Sequence, residues 1–274
     1  MRSEREREEK MMAKIQAGEK IESPEEMTEE YRENLIHLML MQADSELAGA
    51  YGYVPMITKA PNIAETLAVA TIVKDEVRHA RVMYKLLEDL GVDMDARFRQ
   101  HDYTLRVDGQ VDLGSRRAAG DARVNIFYYP LETWADFIAF NFCMDRGAGH
   151  QLVDALHCSY GPWSRAMEGI FKEESMHVSH GETWVKRMAQ DPALRDEIQE
   201  ALNRWYPRTM NIFGRPNTPR NKLYRKLGLK RRDNDEVRQA FAKEVKELVE
   251  QFGLTLPAWK PDWEKVSEEA AIPG

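Results

Sequence analysis

The sequence predicts an all-α fold: a four-helix bundle followed by extra C-terminal helices. Three observations predict it. Glu-x-x-His occurs at Glu76–His79 and again at Glu174–His177. Each copy has an upstream carboxylate at matched distance, Glu46 thirty residues before Glu76 and Asp145 twenty-nine before Glu174. The middle of each interval carries turn residues, Pro55 and Pro61 in the first and Ser159-Tyr160-Gly161-Pro162 in the second. Pro and Gly are the strongest helix punctuation. Fifteen residues out and fifteen back, less the turn, is roughly 20 Å of helix. Both intervals therefore read as antiparallel helix pairs with the acids at mid-depth.

Residues 1–23 read as a polar, solvated helix or arm, with Met1 to Lys10 nearly saturated with charge. A first helix covers residues 24–52, with Pro24 at its start, acids in its first turn and the apolar series Leu35, Leu38, Met39, Met41. A second runs from Pro61 to Leu90 and stops at Gly91. Residues 92–129 lack helical periodicity, and the Asp108-Gly109 turn between valines suggests a small β-hairpin over 107–111. A third helix spans 130–158 and a fourth 162–189. A shorter helix covers 192–205, then a Pro- and basic-rich connection over 207–234, then a last amphipathic helix over 235–251. The domain division is an N-terminal arm (1–23), one bundle domain (24–256) and an irregular tail (257–274).

Composition narrows the function. Hydrophobic residues make up 43%, enough for a real core. No run of eighteen apolar residues appears, so no membrane helix is expected. The charged N-terminus is no signal peptide. A formal net charge of −7 argues against general nucleic-acid binding. Two cysteines, Cys143 and Cys158, fit buried thiols in a cytoplasmic protein. Cys143 lies two residues before Asp145, about 200° away around the helix, and is not a ligand.

Residues three apart share a helix face, so a Glu and a His at that spacing can grip one ion. Carboxylate bundles of this type take two Glu-x-x-His pairs from two helices and one acid from each of the others. Glu46, Glu76, His79, Asp145, Glu174 and His177 are the expected metal ligands, and the four carboxylates are expected to carry the chemistry. Asp154-Ala155-Leu156-His157 has the same local spacing but sits beside the Gly161-Pro162 turn, so it reads as a helix-end feature. Oxygen and imidazole donors suit iron or manganese rather than structural zinc. Two divalent ions would balance the four negative charges. Ligating imidazoles usually donate their second nitrogen to an acceptor. Asp75, Gln42 and Asn141 are candidates to support the ligands. Trp134, Trp163 and Trp184 read as packing or subunit-contact residues.

These residues carry a resemblance. Asp75-Glu76-x-x-His79 with Ser45-Glu46, Tyr129-Pro130 with Trp134-Ala135-Asp136 and Asp145, Ser159-Tyr160-Gly161-Pro162, Lys172-Glu173-Glu174-Ser175-x-His177, and Asn203-Arg204 with Met210-x-x-Phe213-Gly214 are similar to the motifs of the catalytic subunits of ring-1,2-phenylacetyl-CoA epoxidases. That family is ferritin-like and consists of multicomponent di-iron monooxygenases. An aspartate on the third helix also marks the related benzoyl-CoA epoxidases. The resemblance covers residues 24–256 and implies the six ligands named above. It implies two iron ions, with manganese as a substitute, and O2 activation for epoxidation of an aromatic acyl-CoA. It further implies an oligomer, an NADPH-fed flavin/iron-sulfur reductase and a related non-catalytic ferritin-like subunit. Arg78, Arg81, Lys59 and Lys74 are candidates for the CoA phosphates. The chain departs from the family in a longer 95–125 segment, a shorter tail, Arg78 and Arg81 on the second helix, and Ile72 where the pattern has lysine. The alternatives are a di-iron oxidase or oxygenase on another substrate, benzoyl-CoA-like or without CoA, and a non-enzymatic ferritin-like metal-binding protein.

Overall fold

The structure, a computed structural model, describes residues 2–266 of the 274. Ten α-helices occur among them: α1 (Arg2–Gln16), α2 (Glu29–Tyr53), α3 (Ile63–Asp89), α4 (Met94–Gln100), α5 (Trp134–Phe140), α6 (Arg146–Leu156), α7 (Gly161–Gln190), α8 (Arg195–Met210), α9 (Pro219–Lys226) and α10 (Asn234–Gln251). A π-helical turn, Asn141–Asp145, joins α5 to α6 without a break. The fold is an all-α bundle of the ferritin-like kind. α2 packs along α3, and α7 packs along α6 and the π turn. No strand occurs among the described residues, where Ile21 and Tyr160 make an isolated bridge. No helix among them is long and apolar enough to cross a membrane.

The helix starts have local causes. Thr28 Oγ1 accepts from Tyr31 N–H, and Asn62 Oδ1 from Glu65 N–H. Thr133 and Asp136 cap each other's backbone at the start of α5. Each cap satisfies an N–H that the helix cannot. Gly181 on α7 is a point of closest approach: a Cβ there would lie 2.6 Å from Phe142 N. Only glycine lets α7 lie that close to the π turn.

Two apolar clusters fill the interior. One holds Tyr53, Val69, Ile72, Phe137, Met144, Trp184 and Trp205. The other holds Leu35, Met39, Ala43, Met83, Leu87, Ala155, Trp163 and Met167. On each helix the proposed ligands fall between the two sets: Glu46 between Ala43 and Tyr53, Glu76 and His79 between Ile72 and Met83, Asp145 between Met144 and Ala155, Glu174 and His177 between Met167 and Trp184. The polar layer is thus sandwiched at mid-depth by dry core on both sides.

Several expected elements change. The first helix starts at Glu29, because Pro24–Glu26 forms a separate 3-10 turn. The third is split by the π turn, whose five residues are all buried and so show no amphipathic stripe. The hairpin over 107–111 is absent. Val107 N–H bonds Tyr128 O, and Asp108 caps its own turn through Gln110 N–H, so the flanking residues never pair. α4 and α9 were not expected. Each has a capped start, at Asp93 and at Thr218-Pro219, but each is short and α9 is masked by its basic residues. α8 continues through Pro207 to Met210 rather than stopping at Trp205. α1 is helical, with Met11 buried against the second cluster. Residues 267–274 of the expected tail lie outside the described residues.

Candidate metal centre

α2 carries Glu46, α3 carries Glu76 and His79, the π turn ends on Asp145, and α7 carries Glu174 and His177. All six are buried. Ligand atoms of Glu46, Glu76, His79 and Glu174 lie within 4.8 Å of one another. Glu174 reaches both imidazoles, its Oε1 3.0 Å from His79 Nδ1 and its Oε2 3.7 Å from His177 Nδ1. Glu76 Oε1 is 3.3 Å from His177 Nδ1, and Glu46 Oε2 is 3.6 Å from His79 Nδ1. The imidazole centres are 6.3 Å apart. Asp145 lines the same cavity but stands outside the four-residue cluster. Tyr53 O–H donates to its Oδ1 at 3.3 Å, and Asn141 Nδ2 to its Oδ2 at 2.8 Å.

The donors fit metal ions. His79 Nδ1, His177 Nδ1 and Glu174 Oε1 are buried and lack any hydrogen-bond partner, so the close approaches between them are misaligned for one. Each unsatisfied buried group costs about 1–3 kcal/mol. A cation between them would satisfy all three at once. Charge points the same way. Burial and the neighbouring Glu174 charge push Glu76 well above the usual carboxylate range, and the same two causes push Asp145 up to about 8. Burial also works to raise Glu174, but the His177 and His79 imidazoles hold it down to about 2. Burial opposes charge on both histidines, yet Glu174 and Glu46 lift His79 to about 9, and Glu174 and Glu76 lift His177 to about 12. A dry layer with four acids and two imidazoles is short of positive charge.

The atoms facing away from the centre are also organised. Gln42 Nε2 donates to Glu46 Oε1 at 3.0 Å, while Gln42 Oε1 accepts from Trp163 Nε1 at 3.0 Å. His79 Nε2 lies 2.7 Å from Glu173 Oε2, and Arg78 forms an ion pair with that same carboxylate. His177 Nε2 lies 3.6 Å from Asp75 Oδ2. Each histidine thus faces the acid that precedes the Glu-x-x-His glutamate of the opposite hairpin. Glu173 was not foreseen, although it holds the same place in its motif as Asp75. Tyr53, two helical turns after Glu46, carried no sequence signal.

A cavity of about 130 Å³ adjoins the cluster. Glu46, Glu76, Asp145, Glu174 and Tyr53 line it together with Leu38, Met41, Phe127, Met144, Leu152, Ile212 and, among cations, Lys230. None of the four cations suggested for phosphate binding lines it. Arg78 pairs with Glu173, Lys59 Nζ donates to Glu132 O, Lys74 is 3.9 Å from Asp75, and Arg81 lies in a separate surface groove. Asp154 of the second spacing match accepts from Arg232 Nε at 3.0 Å near the end of α6, and Cys143 is buried away from the cavity.

The family described as Phenylacetic acid catabolic protein matches residues 9–269. The chain belongs to this family. Within it, a 1,2-phenylacetyl-CoA epoxidase subunit from Escherichia coli (strain K12) is 32% identical over 257 residues, covering 91% of this chain and 77% of that protein. Component B of the benzoyl-CoA oxygenase of Aromatoleum evansii is 26% identical over 235 residues, covering 77% of this chain and about half (47%) of that protein.

Proposed function

We propose that the chain is the oxygen-activating subunit of a multicomponent di-iron monooxygenase that epoxidises the ring of an aromatic acyl-CoA, phenylacetyl-CoA, in aerobic phenylacetate catabolism. The observation that carries this reading is a buried layer of four carboxylates and two imidazoles opening onto an apolar cavity of about 130 Å³. An engineered apolar cavity of about 150 Å³ holds a benzene molecule, so the space suits one aromatic ring. The named relatives, one from an epoxidase and one from an oxygenase, support the same reaction class.

Glu46, Glu76, His79, Asp145, Glu174 and His177 would hold two iron ions, with manganese as a substitute. Hard oxygen donors with imidazole suit these metals, and the set lacks the thiolates of structural zinc. Bound iron supplies the binding and reduction of dioxygen. Everything else falls to the chain. Glu174 spans the two imidazoles and is placed to share its oxygens between two ions. Gln42, anchored by Trp163, aims Glu46. Tyr53 and Asn141 aim Asp145. Leu38, Met41, Phe127 and Met144 exclude water and hold the ring beside the carboxylates. Lys230 stands on residues 215–232, which contain eight Lys/Arg and no acid in a chain of net charge −7. That segment suits an anionic substrate tail. Electrons would come from NADPH through a flavin/iron-sulfur reductase, beside a related non-catalytic subunit, in the cytoplasm.

The test is reconstitution. The chain with its reductase and partner subunit is expected to consume O2 and NADPH only when an aromatic acyl-CoA is present, since substrate helps complete such sites. Equal uptake with and without phenylacetyl-CoA or benzoyl-CoA would instead favour an oxidase acting on another compound.

A further inference from the structure

The tryptophans of α5 and α7 form a line that begins at the candidate centre. Tyr53, whose O–H donates to Asp145 Oδ1 at 3.3 Å, stands edge-on to Phe137 with ring centres 5.4 Å apart. Phe137 meets Trp134 at 5.2 Å, and Trp134 meets Trp184 edge-on at 5.4 Å. The exposed Arg187 guanidinium lies 4.6 Å from the centre of the Trp184 ring. The line follows helical spacing. Trp134 and Phe137 share one face of α5, while His177, His180, Trp184 and Arg187 follow one another at three- and four-residue steps along α7. Trp134 Nε1 and His180 Nδ1 along it are buried without a hydrogen-bond partner. Such groups are rare and call for a reason beyond packing. Tyr and Trp are the side chains that most readily lose a single electron. A buried phenol does so only when its proton has an acceptor, and Asp145 Oδ1 is one.

We propose that Tyr53, Trp134 and Trp184 are an exit route that carries oxidising equivalents from the candidate centre to the surface when no organic substrate consumes them. This rests on the reading of the cluster as a redox-active iron centre. Tyr53 gives one electron to the oxidised centre, and its phenolic proton passes to Asp145 Oδ1. Trp134 then returns an electron to the tyrosyl radical, which takes the proton back. Phe137 provides contact between them and is not itself oxidised. Trp184 reduces the Trp134 cation radical. A soluble thiolate reductant beside Arg187 reduces Trp184 and becomes a thiyl radical, two of which couple to a disulfide. One electron thus enters at the surface for each one delivered to the centre.

Light-driven oxidation of the full-length chain tests the route without acyl-CoA or turnover. A ruthenium polypyridyl sensitiser with an irreversible electron acceptor withdraws an electron from Trp184 beneath Arg187. Radicals are followed by electron paramagnetic resonance and transient absorption. The wild type is expected to develop a tyrosyl radical that is lost in Tyr53→Phe. In Trp134→Phe the tyrosyl yield should fall and a tryptophan radical should accumulate. Trp259→Phe, off the line, should behave as wild type. A full tyrosyl signal in Tyr53→Phe, or an unchanged yield in Trp134→Phe, would overturn the route. Trp184→Phe reads the same line should Trp134→Phe lose its native circular dichroism. Failure here would leave the acyl-CoA reading intact, and failure of the reconstitution would leave this result standing.

Discussion

The two hairpins carry the same motif and support it differently. In one direction His79 Nε2 meets Glu173 at 2.7 Å, and Glu173 is itself gripped by Arg78. In the other, His177 Nε2 is 3.6 Å from Asp75, too far for a hydrogen bond. Lys74, mostly exposed, is 3.9 Å from Asp75 and adds little hold. The upstream acids differ as well. Glu46 sits on regular helix and is aimed by Gln42, whereas Asp145 ends a π turn and is held by both Tyr53 and Asn141. Duplication of a motif decides which atoms face the centre. It does not decide how firmly each is held. Two metal positions built this way should be chemically unequal.

The largest effect should come from removing a shared ligand. Glu174→Ala takes away the one carboxylate that reaches both imidazoles, so both positions should fail together. Iron should fall from about two per chain to near none, with turnover abolished and circular dichroism retained, because the bundle has its own core. Retention of one full iron would mean that the hairpins bind independently. His177→Ala should spare more iron than Glu174→Ala while still abolishing turnover.

The supporting acids come next. Glu173→Gln should weaken metal binding about 10- to 100-fold, the usual effect of losing a ligand's hydrogen-bond partner. Asp75→Asn should cost visibly less, since its contact is already long. Chelator competition on the two variants measures the gap, and equal losses would erase the asymmetry.

A pH series sharpens the charge argument. Asp145 is raised to about 8 from an ordinary value of 3.8, so the native chain keeps a proton that the unfolded chain releases. Stability of the metal-free chain should therefore fall as pH rises through that window. His79, raised to about 9, adds a further loss as pH rises through 9. Glu174 has the opposite sign, but its contribution is lost only as pH falls toward 2. Metal binding needs these groups deprotonated. The rise in melting temperature on adding ferrous ion should hence be greater at about pH 8 than at about pH 6. A shift independent of pH would contradict it. The smallest effect is expected for Trp163→Phe, which removes the anchor of Gln42 and should cost about 1 kcal/mol in thermal stability.

Much of the frame was legible because helices count residues. A spacing of thirty with proline or glycine at the middle admits few folds other than a hairpin, and the α2–α3 and α6–α7 turns fall where Pro61 and Gly161-Pro162 stand. The features that escaped were of another kind. The π turn left no mark, because a stretch buried on every side has no stripe to lose phase. α9 was hidden by charge, since eight cations in residues 215–232 read as solvated linker. Glu173 and Tyr53 act across helices, and the pairing of such partners depends on packing rather than on local spacing. The phosphate-binding suggestion on α3 failed to meet the cavity for the same reason: nothing local to Arg78 or Lys74 told which side of the bundle would open.

The π turn makes the site sensitive to chain length. Each residue added to an α-helix rotates the remainder of the helix by about 100°. The extra residue absorbed between Asn141 and Asp145 therefore sets the rotational phase of one half of the helix against the other. Trp134–Phe140 can keep its face to α8 while Arg146–Leu156 keeps its own to α7, and Asp145 is the tooth at which the two gears mesh. Losing a single residue there would leave every neighbouring side chain chemically unchanged and still swing the carboxylate out of the polar layer. The natural unit of change at this position is thus the insertion or deletion rather than the substitution.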